Sequence, residues 1–424
     1  MAREMKNSGI EWIGDIPSDW VLPKVKNLFT IGRGRVISQL ELEDTGYPVY
    51  SSQTKNNGCL GYISTYDFDR SQLTWTTDGA NAGTVFLREG KHNCTNVCGT
   101  LLPKTDEHNL HYLKYSLEFI AIYHKRADIN GYKIMNNEMA EIVITLPPRQ
   151  EQDKIADFLD RKCAEIDTVI EKTKATIEEY KKLKQSVITE AVTKGIRGDH
   201  PMKDSGIDWI GDIPADWDCL KAKYLFQVGD GSLKIGPFGS ALSGKTLEEG
   251  PYKIYNQAHL VSNDFSLNRH FVSESTFEVL KSYEVKPGDV LFSMMGTIGK
   301  CRIMPSGYCK GIMDSHLLKA RLNELVDEKY FSYVYDKDHS SIGIGQLNYY
   351  SNGSIMSGLN STIVKNIHIP LPSLEEQKEI ADFLDVKCAE IDKLIADKTH
   401  LLEEMESYKK SVIYEYVTGK KEVE

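Results

Sequence analysis

The 424-residue chain has no apolar run long enough to cross a bilayer. Its opening stretch, "MAREMKNSGIEW", lacks the apolar core of a signal peptide. Both absences predict a cytoplasmic protein. The eight cysteines, Cys59, Cys94, Cys98, Cys163, Cys219, Cys301, Cys309 and Cys388, form no CxxC and no dense framework. Reduced thiols are therefore expected, not disulfide staples. Catalytic signatures are missing as well. The letters GxxxxGK(S/T) occur once, as "GSALSGKT" (Gly239 to Thr246), but the "LEEGPYKIY" that follows is no apolar helix, so the usual cradle for a nucleotide triphosphate is not expected. There is no Asn/Asp-Pro-Pro-aromatic tetrapeptide to clamp an amino group awaiting methylation; "LPPR" is the only Pro-Pro and it opens a helix. Paired acids with a nuclease-like lysine spacing are not evident. "VGDGSLKIGPFG" (Val228 to Gly239) is glycine-rich without GxGxxG spacing and reads as a flexible surface loop. "HNCTNVC" could offer His92, Cys94 and Cys98 to zinc, but three ligands with no partner knuckle read instead as strand thiols and a surface histidine. The net charge of −10, taken whole, runs against a nucleic-acid partner.

What the chain does have is repetition. "SGIEWIGDIPSDW" (Ser8 to Trp20) returns as "SGIDWIGDIPADW" (Ser205 to Trp217), 197 residues later. "LPPRQEQDKIADFLDRKCAEID" (Leu146 to Asp167) returns as "LPSLEEQKEIADFLDVKCAEID" (Leu371 to Asp392), at an offset of 225. Each half therefore reads motif, variable block, helix. The blocks cover roughly 21–145 and 218–369, and the sequences have little in common beyond a similar ending.

The helix segments carry an apolar seam at steps of three and four: Ile155, Leu159, Cys163, Ile166, Ile170 and onward, then Ile380, Leu384, Cys388, Ile391, Ile395. Ser373 followed by Glu376 predicts a capping box, and Pro148 suits a first turn. Gly195 and Gly419 are the expected stops. At 1.5 Å per residue each helix would span about 65 Å. One seam on so long a helix needs a partner. The other copy is the most economical one, packed antiparallel about a pseudo-two-fold axis. Symmetry then requires the helix ending near Gly419 to meet the motif at Ser8, with Trp12 near Val417. The blocks read as mixed α/β, with strands such as "LTWTTD", "GTVFLRE", "DVLFSMMG" and "KCRIMP", and helices in "NLHYLKYSLEFIAIYHKRA" and "VDEKYFSYVYDKDH".

Charge is unevenly placed. Block 21–145 holds 13 basic and 13 acidic residues, and block 218–369 holds 16 and 15, so the acidity belongs to the repeated frame. A neutral block can still present a basic face. The polar, loop-like stretches "GRGRV", "SSQTKNNG" and "HKRADINGYK" offer Arg33, Arg35, Gln53, Lys55, Asn56, Lys125, Arg126 and Lys133. The second block offers Lys234, and in "YNQAHL", "SMMGTIGK" and "IGQLNYYSNG" it offers Asn256, Gln257, Ser293, Lys300, Gln346 and Asn348. Such side chains read base edges in the major groove, and they are also ordinary surface residues. Four of the five tryptophans, Trp12, Trp20, Trp209 and Trp217, lie in the repeated motif. They either seat each block on the helices or anchor a partner protein.

In combination, the two "WIGDIP" motifs, the two "ADFLD" helix openings and their order resemble the specificity (S) subunits of type I restriction–modification systems over nearly the whole chain. The resemblance implies two globular mixed α/β target recognition domains joined by two long helices in an antiparallel coiled coil. It divides the chain into 1–145, a first spacer helix 146–197, 198–369 and a second spacer helix 370–424. It implies double-stranded DNA as partner, each domain reading half of an asymmetric bipartite site. The helix pair would set the gap and carry two methyltransferase subunits, with restriction subunits as further partners. S-adenosylmethionine would sit on the methyltransferase subunits, and this chain would hold no cofactor, no metal and no catalytic residue. The competing reading is a coiled-coil scaffold whose inserts bind other partners. A self-contained methyltransferase is disfavoured by the missing motifs.

Overall fold

The computed structural model describes residues 3–129, 131–198, 200–229, 231–295, 299–336, 341–351 and 359–423. The chain forms two compact units, Met1–Lys174 with His400–Glu424, and Ala175–Thr399. Each unit combines one variable block, one copy of the tryptophan motif, and segments of both long helices. These are α2 (Arg149–Lys194) and α4 (Leu374–Val417); the shorter α1 (Leu110–Ala121) and α3 (Glu328–Tyr335) belong to the blocks.

The helix segments run antiparallel inside each unit. In the first, Thr145, just before α2, donates to the carbonyl of Val417, and Asp167 meets Lys409 at 2.6 Å. In the second, the Tyr330 hydroxyl reaches the carbonyls of Val192 and Pro370, and Lys184 meets Asp392 at 2.6 Å. The two ion pairs are counterparts under the 225-residue offset. The seam is buried as its spacing requires: Ile155, Leu159, Cys163, Val412 and Val417 join one core, and Ile188, Val192, Ile380, Leu384 and Cys388 the other. Gly195 (φ 78°) and Gly419 (φ 69°) close the helices in the left-handed conformation expected of a stop. The first motif lies against the end of α4. Trp12 and Val417 share the first core, and Lys420 Nζ donates to the carbonyl of Asp15.

The capping box at Ser373 is only half formed. Ser373 Oγ accepts from the Glu376 N–H at 3.3 Å, but the Glu376 carboxylate accepts from Trp217 Nε1 at 3.2 Å. The buried indole N–H has the stronger claim, because leaving it unpaired would cost more than leaving a helix end to solvent.

The divergent blocks share one topology. The first has an antiparallel sheet ordered Phe29–Arg33, Cys98–Pro103, Gln72–Thr76, Val85–Arg88; the second has Leu233–Ile235, Leu317–Ala320, Val290–Ser293, Cys301–Ile303. In each, a smaller sheet contains one parallel pair: Tyr47–Tyr50 beside Asn93–Cys94, and Tyr252–Tyr255 beside Gly311–Met313. The helix of each block is then braced on the long helix in the same way. Asn109 caps α1 and Asp327 caps α3, and the backbone N–H of each donates to Gln152 (2.9 Å) or Gln377 (2.8 Å). Tyr115 donates to Asp160 at 2.9 Å, and Tyr333 to Asp385 at 2.8 Å.

Some expectations change. "VGDGSLKIGPFG" is no free loop: Leu233–Ile235 is an edge strand paired with Leu317–Ala320. "HKRADINGYK" forms a hairpin, Arg126–Asp128 against Gly131–Lys133. "IGQLNYYSNG" enters the helix Ser341–Ser351, and "YNQAHL" opens the helix Gln257–Ser262. Short polar runs whose apolar members face a neighbouring core look like loops when only local pattern is read. Among the described residues no helix is long and apolar enough to cross a membrane.

Candidate nucleic-acid interface

In the first unit the candidate residues gather at one end of the four-stranded sheet. Its strands end or begin there at Arg33, Thr76 and Cys98, which are neighbours in register: Gly99 opposes Arg33 and Cys98 opposes Thr76. The hairpin 126–133 pairs with Asp78–Gly79, which continues from the same strand end. Asn81 Nδ2 reaches Thr54 Oγ1 at 3.3 Å, tying in the 51–58 turn. Arg33 at the end of its strand, Arg35, Gln53, Lys55 and Asn56 on the turns, and Lys125, Arg126 and Lys133 on the hairpin therefore lie at one end of the sheet.

Their side chains are loosely held. Arg33 donates to Asn136 Oδ1 at 3.0 Å, and Arg126 to Glu138 at 2.6 Å. Arg35 lies 3.1 Å from Asp67 and 3.6 Å from Glu41, and Lys133 pairs with Asp128. The Lys125 ammonium sits 4.4 Å from the Tyr132 ring centre. Exposed pairs of this kind are worth about 0–1 kcal/mol, so a phosphate can displace the carboxylate at little cost. Gln53 is committed inward, donating to the Cys59 carbonyl. Lys55 and Asn56 are exposed on a turn where Asn56 (φ 50°) and Asn57 (φ 52°) are left-handed.

Arg88, which the sequence reading passed over, holds that turn from below. It is 1% exposed. Its Nη1 donates to the Asn57 carbonyl at 2.6 Å, its Nε to Thr74 Oγ1 at 3.0 Å, and its guanidinium lies 3.7 Å from the Tyr50 ring centre. Burial pulls its pKa down. No local signal marks it: "VFLRE" reads as a strand ending in an exposed charge.

The second unit presents the same sheet end. Ile235 opposes Leu318 and Ser293 opposes Leu317. Lys234, Asn256, Gln257, Ser293 and Lys300 gather near it, but they are not equally available. Ser293 is buried and its Oγ accepts from the Lys300 N–H at 3.1 Å, so it shapes the turn and does not face a groove. Asn256 Oδ1 caps the following helix, accepting from Ala258 at 3.0 Å. Gln346 is fully buried, with both ends of its amide on the backbone of His368 at 2.9 and 2.7 Å; it belongs to the scaffold and cannot offer that amide to a base. Lys234 is half-buried, 4.4 Å from the Tyr283 ring centre. Gln257 is half-buried on the first turn of its helix. The side chain of Asn348 lies outside the described residues.

One feature common to both ends is steric. Gly34 and Gly236 each follow the edge strand, and a Cβ at either would collide with a backbone carbonyl, of Cys94 or of Asp314. Only glycine lets the chain cross so close to the turn between the parallel strand and the central one.

The tryptophans divide into two kinds. Trp20 and Trp217 are buried, with their Nε1 groups on Glu151 (3.0 Å) and Glu376 (3.2 Å). Trp12 and Trp209 are half-buried; Trp12 stacks on Tyr123 at 4.9 Å, and Trp209 lies 4.8 Å from Tyr349. The zinc reading finds no support, since among the described residues no three His, Cys, Asp or Glu side chains gather as a metal site. His92 is buried, not on the surface; its ring bridges Gln72 (2.9 Å) and the Gly90 carbonyl (2.8 Å), and burial lowers its pKa.

Two topologically equal α/β heads with dissimilar polar ends, each seated on a segment of the same two helices, define a double-headed reader. The family model for the type I restriction modification DNA specificity domain matches residues 17–179 and again 232–404. The chain belongs to that family and is a DNA-recognition subunit. It is 27% identical over 430 residues to the type I restriction enzyme MjaVIII specificity subunit of Methanocaldococcus jannaschii, covering 96% of this chain and 93% of that one. It is 42% identical over 139 residues, 32% of this chain and 74% of the other, to a Mycoplasma pneumoniae sequence named as a type I specificity subunit N-terminus. A chain solved as part of a type I R-M system superposes with a TM-score of 0.65 at 15% identity, covering 96% of this chain and 99% of that one, which is a likeness of fold.

Proposed function

We propose that the two sheet ends read the two halves of an asymmetric, split DNA site in the cytoplasm, and that the helix segments carry two methyltransferase subunits. Arg33, Arg35, Lys55, Lys125, Arg126 and Lys133 in one unit, and Lys234 and Lys300 in the other, meet phosphates and hold the register. Asn56 and Gln257 are the side chains best placed to meet base edges. Phosphate contacts give affinity and salt dependence, and base contacts give sequence. S-adenosylmethionine binds the methyltransferase subunits; this chain selects the site and catalyses nothing. The observation that carries the reading is the pairing of one repeated scaffold with one repeated topology whose polar ends differ. Selection from random duplex DNA, with the chain alone and with its methyltransferase subunit, tests it. Two short words separated by an unselected gap are expected. A single uninterrupted word, or no enrichment in either arm, would sink it.

A further inference from the structure

The turn 51–58 and the segment after Tyr255 leave equivalent strands of the two heads. Tyr47–Tyr50 and Tyr252–Tyr255 each run parallel to a strand, Asn93–Cys94 or Gly311–Met313, from which a short turn leads to the polar end of the central strand at Cys98 or Leu317. The two exits match bond for bond. The Thr95 N–H donates to the Tyr50 carbonyl at 2.8 Å, and the Asp314 N–H to the Tyr255 carbonyl at 2.9 Å. Among the described residues the non-glycine positions with left-handed backbone are all asparagines on these two segments: Asn56, Asn57 and Asn263, with φ of 50°, 52° and 52°. Glycine would take that conformation without strain. What asparagine adds is an amide. Each of the three is exposed, and its side chain makes no hydrogen bond among the described residues.

Each segment is pinned from beneath by a buried cation. Arg88 donates to the Asn57 carbonyl at 2.6 Å, and Lys253, 2% exposed, donates from Nζ to the Phe265 carbonyl at 2.8 Å, two residues past Asn263. Neither makes an ion pair among the described residues, and burial pulls the pKa of both down. A charge without an anion is costly to bury. The fold does not demand it. Strand register places Met304 in the second head where Arg88 stands in the first, and Pro48 in the first head where Lys253 stands in the second. A packing requirement would fall at one position in both heads. Here the cation comes from two different strands, and what the heads share is the segment it holds.

An asparagine amide carries a donor and an acceptor side by side, and matches N6 and N7 of adenine in the major groove. Such a pair needs the amide held to within about 0.5 Å. An exposed polar turn does not hold itself so closely, and a carbonyl tied to a buried cation does. We propose that Arg88 is a positioning residue for sequence reading, fixing the Asn56–Asn57 amides against an adenine edge in one half-site, and that Lys253 does the same in the other half-site for the segment 256–265, which carries Gln257 and Asn263. The contact with DNA rests on the function proposed above. Two further consequences follow. Arg88 and Lys253 govern which base is preferred without touching the duplex, and each governs one word only.

The test measures binding of the full chain, with its methyltransferase subunit, to duplexes that change the selected site one base pair at a time. Asn56→Gly and Asn57→Gly keep the left-handed turn and strip the amides. At least one of them should lose about tenfold discrimination at an adenine of one word and leave the other word unchanged. Arg88→Met, which copies the second head, should lose discrimination at that same base pair, and adding it to that glycine variant should change nothing more there. Lys253→Met should alter the other word only. The salt slope should stay as in the wild type throughout, because none of these side chains meets a phosphate. Should R88M unfold, Arg88→Lys replaces it, with partial loss expected at the same base pair. A wild type that selects two words while both glycine variants keep every preference would overturn this inference and leave the sheet ends as readers. An Arg88 variant that weakens all sequences alike would reduce Arg88 to a structural residue and overturn the positioning role. A wild type that selects no split site would overturn the proposed function and this inference with it.

Discussion

Trp217 donates its indole N–H to the Glu376 carboxylate at 3.2 Å, with both side chains buried. The bond ties the second motif to the first turn of α4. Its counterpart joins Trp20 to Glu151 at 3.0 Å, but there Arg3 also grips the carboxylate, with Nη2 at 2.8 Å. The repeated motif is thus a clamp that seats each head on its helix.

The difference between the two clamps has a measurable outcome. Trp217→Phe leaves the Glu376 carboxylate buried with no indole, at a cost of about 1–3 kcal/mol. Trp20→Phe should cost less, because Arg3 still pairs with Glu151. Urea denaturation of the two variants checks the order. Equal losses would show that the indole bonds are not what holds the motifs down.

Lys319 is 1% exposed, and burial pushes its pKa from the ordinary 10.5 down to about 8. Asp289 and Glu284 oppose that fall, and Arg321 and Lys234 add to it. The folded chain releases this proton first. Between about pH 8 and 10.5 the unfolded chain binds more protons, and the contribution of Lys319 to stability rises with pH. Below pH 8 the full penalty is present, about 3 kcal/mol at most. Lys319→Met should therefore be the more stable protein at pH 7, with its advantage shrinking as the pH climbs through that window. An advantage that stays constant from pH 7 to 10.5 contradicts the assignment.

Gly34→Ala and Gly236→Ala each force a Cβ into a carbonyl. Each should destabilise its own head by about 1–3 kcal/mol, the usual cost of overpacking. Hydrogen exchange resolves the effect by region. Loss of protection in strand 98–103 for one variant and in strand 317–320 for the other is expected, and protection unchanged in both would show that the crossing is not tight.

Lys55 is exposed and makes no ion pair among the described residues, on the turn held by Arg88. Lys55→Ala should weaken binding to all sequences alike and lower the slope of log K against log salt by about 1. A change in the preferred sequence with an unchanged slope would make Lys55 a base contact instead.

The long helices were legible because forty-odd residues of seam outvote any local exception. Both glycine stops and the antiparallel pairing followed from the repeat. The common topology of the heads was not legible, since strands of two to six residues carry too little pattern to align. Its traces are there in hindsight: "TWTTDGANAGT" beside "FSMMGTIGK", and "NLHYLKY" beside "VDEKYFSY", whose tyrosines brace the same helix positions. The interface was legible as charge and amide content but not as exposure. Gln346 and Ser293 are polar for the backbone's sake, and Arg88 is charged yet buried, and only packing distinguishes these from Lys55 or Arg126.

Independence of the two heads is the central claim. Block 218–369 can be exchanged for that of another family member, and the methylated sites of the assembled complex mapped across a genome. The expected map keeps one half-site and the gap unchanged and replaces the other half-site. A map in which both half-sites change would contradict two separate readers on one repeated scaffold.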